Sequence, residues 1–402
     1  MELMGRMGPA TAILSIVLLG AGQRAEAKDL PDVLGVTHVA GRYYLTDKDF
    51  LNEGADQILA LGSRVIKIWF YGKRHEHPMS VYPYNSQWPS VDSLVEGARI
   101  SYFRELFAKP FTTYILVVTS LGRDDGYWRN GITEEQKKDE QRQFYELSKC
   151  LLTEYRGTGK TFVLQHWEGD WMARGNFDAN VEPLPSALAN MVEWLNARQA
   201  GVNQARQEVE QQLVSRASSP REDAAKMAAT REQGVHVYHA TEVNLVVQSM
   251  RNGSAGVVNK VLPHTQLDLV SYSAWDSATS HYADPNVLRD ALDFIAANAP
   301  DSPAFGNRNV YLGEFGMPEN QYKPEQIQAA TKNAVQTGLK WGCPYIVYWQ
   351  LYCNELKDPN AKPPVKSNDA VRGFWLIRPD GTKSWTWDYF HALLTQTRPP
   401  AP

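Results

Sequence analysis

Two glutamates, Glu168 and Glu314, close apolar runs of similar make-up: Thr161-Phe162-Val163-Leu164-Gln165-His166-Trp167-Glu168 and Asn309-Val310-Tyr311-Leu312-Gly313-Glu314-Phe315-Gly316. A protonated carboxyl can hand its proton to a leaving oxygen, while an ionised one can attack the carbon left behind. Two carboxyls a few ångströms apart are the minimum apparatus for splitting a glycosidic bond. That chemistry requires a rigid frame that brings both groups to one rim.

The frame is visible as eight short runs rich in β-branched and aromatic residues: Val33–Ala40, Arg64–Tyr71, Tyr114–Ser120, Thr161–Glu168, Val235–Asn244, Asp268–Trp275, Asn309–Phe315 and Tyr345–Tyr352. Helical patterns with start and stop signals separate them. Thr46 precedes Asp47–Leu61, which Gly62 stops, and Thr133 precedes a long helix ending near Gly157. Asp284-Pro285 opens Asn286–Ala297, and Lys323-Pro324 opens Glu325–Trp341, stopped by Gly342. A last helix, Trp385–Leu394, follows the eighth run. Eightfold strand-helix alternation predicts an α/β fold, a single (β/α)8 TIM barrel of parallel strands. Most of the runs are apolar at a majority of positions, as strands buried on both faces are. A doubly wound open sheet would place a Gly-rich phosphate turn after its first strand, and Val33–Gly41 carries none.

The longest connection, between the fourth and fifth runs, holds a helix over Leu184–Gln212 and then a polar stretch, Arg216–Gln233, that reads as a surface insertion. Asp380-Gly381 between Trp375-Leu376-Ile377 and Lys383-Ser384-Trp385 reads as a hairpin after the eighth strand. Met1–Ala27 has the form of a signal peptide, with Arg6, an apolar Ala10–Leu19 centre and Ala25-Glu26-Ala27 as the cleavage site. The expected organisation is therefore a leader over 1–27 and a barrel over 28–398, in a secreted or periplasmic protein with no membrane span in the mature chain. The net charge of −4 carries no basic tract, which argues against nucleic acid as a partner. Ten strand residues at ~3.3 Å each would hold Cys343 and Cys353 far beyond bridging distance, so all three cysteines are expected to be free thiols. His75-Glu76-His77 falls in a loop without a partner motif and reads as a solvated pair; no metal or cofactor is expected. There is no Gly-x-Ser-x-Gly elbow for serine-esterase chemistry. The twelve tryptophans and nineteen tyrosines suit either a large core or a sugar cleft.

Active sites of such barrels lie at the C-terminal ends of the strands. Alternation along the seventh strand groups Val310, Leu312 and Glu314 on one face, with Val310 and Leu312 filling the barrel and Glu314 emerging above. The fourth strand groups Leu164, His166 and Glu168 in the same way. Lys67, Asp276, Asn354 and Glu355 lie near the expected mouth. Glu242 and Asp170 are the alternative acids should Glu168 point away.

Gly313-Glu314-Phe315-Gly316, Tyr348-Trp349-Gln350 and Gly373-Phe374-Trp375-Leu376-Ile377-Arg378-Pro379-Asp380-Gly381-Thr382 resemble the seventh strand, the eighth strand and the following hairpin of the clan A, or four-over-seven, retaining glycoside hydrolases. The resemblance covers most of residues 30–395. It implies hydrolysis of an oligo- or polysaccharide with retention, Glu314 as nucleophile and Glu168 as general acid/base. It further implies Trp349 as a sugar platform and a sixth-strand residue, here Tyr272, bonded to the nucleophile. The chain departs from the clan by carrying Trp167 where an asparagine usually holds the sugar 2-hydroxyl, with His239 and Asn244 as candidate replacements. A transglycosylase, or a glycan-binding barrel that has lost catalysis, would share the same residues.

Overall fold

The computed structural model describes residues 29–70, 81–85, 88–215 and 234–395. The leader, the His75-Glu76-His77 cluster and the Arg216–Gln233 stretch lie outside the described residues. Eight strands form: β1 (Leu34–His38), β2 (Val65–Phe70), β3 (Thr113–Val118), β4 (Thr161–Gln165), β5 (His236–Val243), β6 (Leu269–Ser273), β7 (Val310–Phe315) and β8 (Ile346–Tyr348). They close in chain order into a parallel barrel, β8 pairing with β1. The (β/α)8 expectation holds, with strand ends trimmed by up to four residues where the chain leaves the ladder.

Local chemistry explains where the helices begin and end. Asp49, not Thr46, caps the first helix, Phe50–Leu61, by accepting the Asn52 amide. Thr46 instead gives its amide and hydroxyl to Glu53. Thr133 closes a capping box over Glu134–Glu154, and Gly62 and Gly342 end their helices in the left-handed conformation. The Glu134–Glu154 and Pro185–Val214 helices touch where Gly201 meets Gln141; a Cβ there would lie 2.3 Å from the Gln141 carbonyl oxygen. The hairpin after β8 forms as a single bridge between Ile377 and Lys383, with Gly381 at φ 82°. All three cysteines are buried and free. Among the described residues, no helix is long and apolar enough to cross a membrane.

Two buried apolar clusters matter for the site. The larger packs the outer face of the sheet against the helices. The smaller gathers Val65, Ile115, Val163, Ala240, Leu269, Tyr311, Tyr345 and Val347, drawn from β2 to β8, into the lower barrel interior. β1 contributes Gly35 there, where a Cβ would come 2.7 Å from a Val65 methyl. One layer above, the inward positions change character to Lys67, Gln165, Glu242 and Ser271.

Candidate active site

The face assignments for β4 and β7 are the reverse of those expected. Tyr311 of β7 points into the barrel, while Val310 and Leu312 join the outer core. Strict alternation would then send Glu314 outward. The ladder to β8 shifts register between Leu312 and Phe315, and Glu314 turns inward at that irregularity. Gly313 makes room for the turn, since a Cβ on it would sit 1.8 Å from Ser271 Oγ and 2.9 Å from Glu242 Oε1. In β4 the inward residues are Val163 and Gln165. The strand ends at Gln165, and Glu168 reaches the mouth only because the chain turns there before the Gly169–Arg174 helix.

Both carboxyls meet one hydroxyl. Ser273 Oγ, at the end of β6, lies 2.6 Å from Glu168 Oε1 and 3.1 Å from Glu314 Oε2. Glu314 also accepts from Lys67 Nζ at 2.9 Å and from the Trp275 indole at 3.3 Å. Lys67 in turn holds Glu242 at 2.7 Å, and both ends of that pair are fully buried. Glu242 accepts from Ser271 at 2.8 Å, from Gln165 at 3.0 Å and from the backbone amide of Glu168 at 3.1 Å. It therefore ties the lysine under one carboxylate to the backbone carrying the other.

This arrangement separates the protonation states. Burial, then the neighbouring Glu314, pushes Glu168 well above the usual carboxyl range. Burial also raises Glu314, to about 7, against the pull of Lys67. For Glu242 the burial penalty is outweighed by Lys67, Ser271 and the Glu168 amide, so it is held low and ionised. Lys67 remains charged because the two carboxylates outweigh its own burial. A hydroxyl has one proton to donate, so with Glu168 protonated the hydrogens run from Glu168 to Ser273 and from Ser273 to Glu314. Once Glu314 ionises, the pair stands as one acid and one anion.

Above the carboxyls opens a cavity of about 370 Å³ lined by Trp69, Trp167, Trp275 and Trp349, with Glu168, Glu314, Asn354 and Glu355 as its polar side chains. Trp349 makes edge contacts with Trp69 at 5.8 Å and Trp275 at 6.4 Å. The Asn354 side-chain oxygen is buried without a partner, and Glu355 is paired with Arg372.

The other expected binding residues fall elsewhere. Lys67 lies beneath the cavity and cannot touch a substrate through Glu314. Tyr272 faces outward, its hydroxyl donating to Asp276 and bonded to the Ser277 hydroxyl, not to Glu314. Alternation along β6 sends Leu269, Ser271 and Ser273 inward and leaves Tyr272 on the outer face. His166 faces the outer helices, bonded to Thr241 and packed on Trp194. His239 also points outward, to Gln199 and Phe144, because β5 sends Ala240 and Glu242 inward. Asn244 accepts the Asp170 amide, and Asp170 accepts the amides of Asn244 and Val257, so both fasten loops. Sequence reasoning missed Ser273, Trp275 and Trp69. The available signal was the Ser271-Tyr272-Ser273 alternation, in which two small polar residues share one face of the strand and the tyrosine takes the other.

Protein-family models and curated proteins return no match to this chain. Solved structures do share its fold. A GH5_18 protein from Streptomyces cattleya in complex with GlcNAc superposes with a TM-score of 0.55 at 12% identity, over 94% of this chain and 83% of that one. A GH5_18 protein from Bifidobacterium longum subsp. infantis gives 0.51 at 12% identity, over 90% and 78%. The exo-beta-1,4-mannosidase Op5Man5 from Opitutaceae bacterium strain TAV5 gives 0.52 at 12% identity, over 91% of this chain and 60% of that one. These are glycoside hydrolase barrels, and family 5 belongs to clan A. The resemblance carried by the motifs is thus matched by the fold.

Proposed function

We propose that the chain hydrolyses a glycosidic bond with retention of configuration, with Glu314 as nucleophile and Glu168 as general acid/base. The observation that carries this reading is the shared Ser273 hydroxyl. Ser273, at 2.6 Å and 3.1 Å, holds one oxygen of each carboxyl within about 6 Å of the other, a closeness that suits the ~5–5.5 Å carboxyl spacing of a retaining pair. Glu314 attacks the anomeric carbon as Glu168 protonates the departing oxygen, leaving a glycosyl ester on Glu314. Glu168, now ionised, takes a proton from water, which cleaves the ester and restores both groups. Lys67, Ser273 and Trp275 supply the donors that oppose burial and stabilise the Glu314 anion.

The ligands and activities of these structural neighbours make β-linked mannosides and GlcNAc-containing oligosaccharides the first substrates to try. The Met1–Ala27 leader supports export, and the N-terminal sequence of the secreted protein should then begin near Lys28. The deciding experiment is the anomeric configuration of the first-formed product by NMR, alongside trapping with a 2-deoxy-2-fluoro glycoside. A product of the substrate's own configuration, with label on Glu314, is expected. An inverted first product would sink the mechanism.

A further inference from the structure

Five large apolar side chains are exposed among the described residues, and three of them, Phe177 (75%), Val181 (45%) and Leu184 (62%), fall within the loop that follows the Glu168 turn. That loop is held in place. Buried Arg174 donates to the Val181 carbonyl at 2.9 Å, and Gly175 starts the loop in the left-handed conformation at φ 72°. Phe177 continues a line of rings out of the cavity: Trp167 lines the cavity, and Phe177 packs 6.2 Å from Trp167 and 5.9 Å from Trp171.

We infer that Trp167 and Phe177 form a subsite for the leaving-group side of the substrate, and that it takes an apolar aglycone such as an alkyl chain. This rests on the glycosidase reading. The side follows from the mechanism, because the group that protonates the departing oxygen must border whatever departs with it, and Phe177 stands on the loop that leaves the cavity from Glu168; Trp167 replaces the asparagine that would face the sugar 2-hydroxyl, and its ring packs against Phe177 instead. The apolar occupant follows from the loop's chemistry. A sugar in this position would need hydrogen-bond partners for its hydroxyls. The loop's polar side chains are engaged with its own backbone and surroundings: Asn176 accepts the Asp178 amide, Asp178 accepts the Asn180 amide and side chain, and Glu182 accepts the Ala255 amide. What the loop turns to solvent beside the cavity is the face of Phe177. An exposed aromatic contiguous with a pocket is the mark of a surface meant to be covered.

The test compares methyl and n-octyl β-glycosides of glucose, mannose and N-acetylglucosamine, below the octyl micelle concentration. Affinity is read by calorimetry on the Glu168→Gln protein and kcat/KM on the active protein, each with and without Phe177→Ala. The octyl glycoside of the accepted sugar should bind about tenfold better than the methyl glycoside. Phe177→Ala should bring that ratio to within about twofold, and Phe177→Leu should keep most of it. An octyl preference that is absent, or that survives Phe177→Ala, overturns the subsite, as does a disaccharide bound better than the octyl glycoside. Phe177-dependent octyl binding without turnover of any glycoside would leave the subsite standing and overturn the hydrolase reading. Equal turnover of methyl and octyl glycosides would do the opposite.

Discussion

Two adjacent layers of the barrel interior are built on opposite rules. The lower layer is an apolar plug of Val65, Ile115, Val163, Ala240, Leu269 and Val347 with two tyrosines. The layer above holds Lys67, Glu242, Gln165 and Ser271 in one hydrogen-bonded knot, equally sealed from water. The plug gains stability from every methyl it buries. The knot offsets a large desolvation cost with paired charge, and its net contribution to stability is small or negative. What it supplies is a fixed positive charge under Glu314 and a fixed backbone at Glu168. The same strands therefore carry a stabilising floor and a charged seat for chemistry, one residue pair apart.

The largest expected effect separates the two layers by function. Glu314→Gln should lower kcat/KM by roughly 10⁴-fold or more with the fold retained, measured on a good aryl glycoside. The same variant probes stability. The Glu314 carboxyl is raised from 4.5 to about 7, so its favourable contribution is complete below pH 4.5 and is lost as pH climbs through 7. Glu314→Gln should then melt a few degrees above the parent at pH 8 and lose that advantage at pH 4.5. A variant less stable at both pH values would contradict the burden assigned to this carboxylate.

Lys67→Met comes next. It strands two buried carboxylates and should cost about 3–5 kcal/mol in denaturant unfolding. Adding Glu242→Gln removes one stranded charge, so the double variant should be less damaged than the sum of the singles by ~1 kcal/mol or more. Strict additivity would mean the two do not act as a unit. In the plug, Ile115→Ala should cost about 2–4 kcal/mol through the cavity it leaves, while the pH profile of any activity stays where it was. A shifted profile would blur the division between layers.

Ser273→Ala is the smallest change. It removes one donor that lowers the Glu314 pKa, so the acid limb of the kcat/KM profile should move up by about half a unit to one unit. A limb that moves down, or not at all, would detach Ser273 from the carboxyl pair.

Legibility in the sequence was uneven for physical reasons. The eight-strand order was readable because buried parallel strands are continuous apolar runs bounded by caps, and each signal is local. The Glu168 and Glu314 pair was readable as strand-end carboxylates. Which side chains accompany them was not, because facing depends on register. Glu314 reaches the interior through an irregularity that Gly313 permits, and Glu168 through a turn beyond the last ladder residue. Counting by twos from either glutamate therefore selected Leu312 and His166, which face the helices, and the clan resemblance selected Tyr272 where Ser273 meets the carboxyls.

The sequence by itself determined the strand-helix alternation, the capped helix ends and the two carboxyls at strands four and seven, since these follow from residue type and spacing along the chain. Only the closed barrel decided that Lys67 on β2, Glu242 on β5, Ser273 on β6 and Glu314 on β7 share one buried knot. Residues about 250 positions apart meet there because closure sets β2 across the interior from β7, and no local pattern encodes which inward positions lie level with one another.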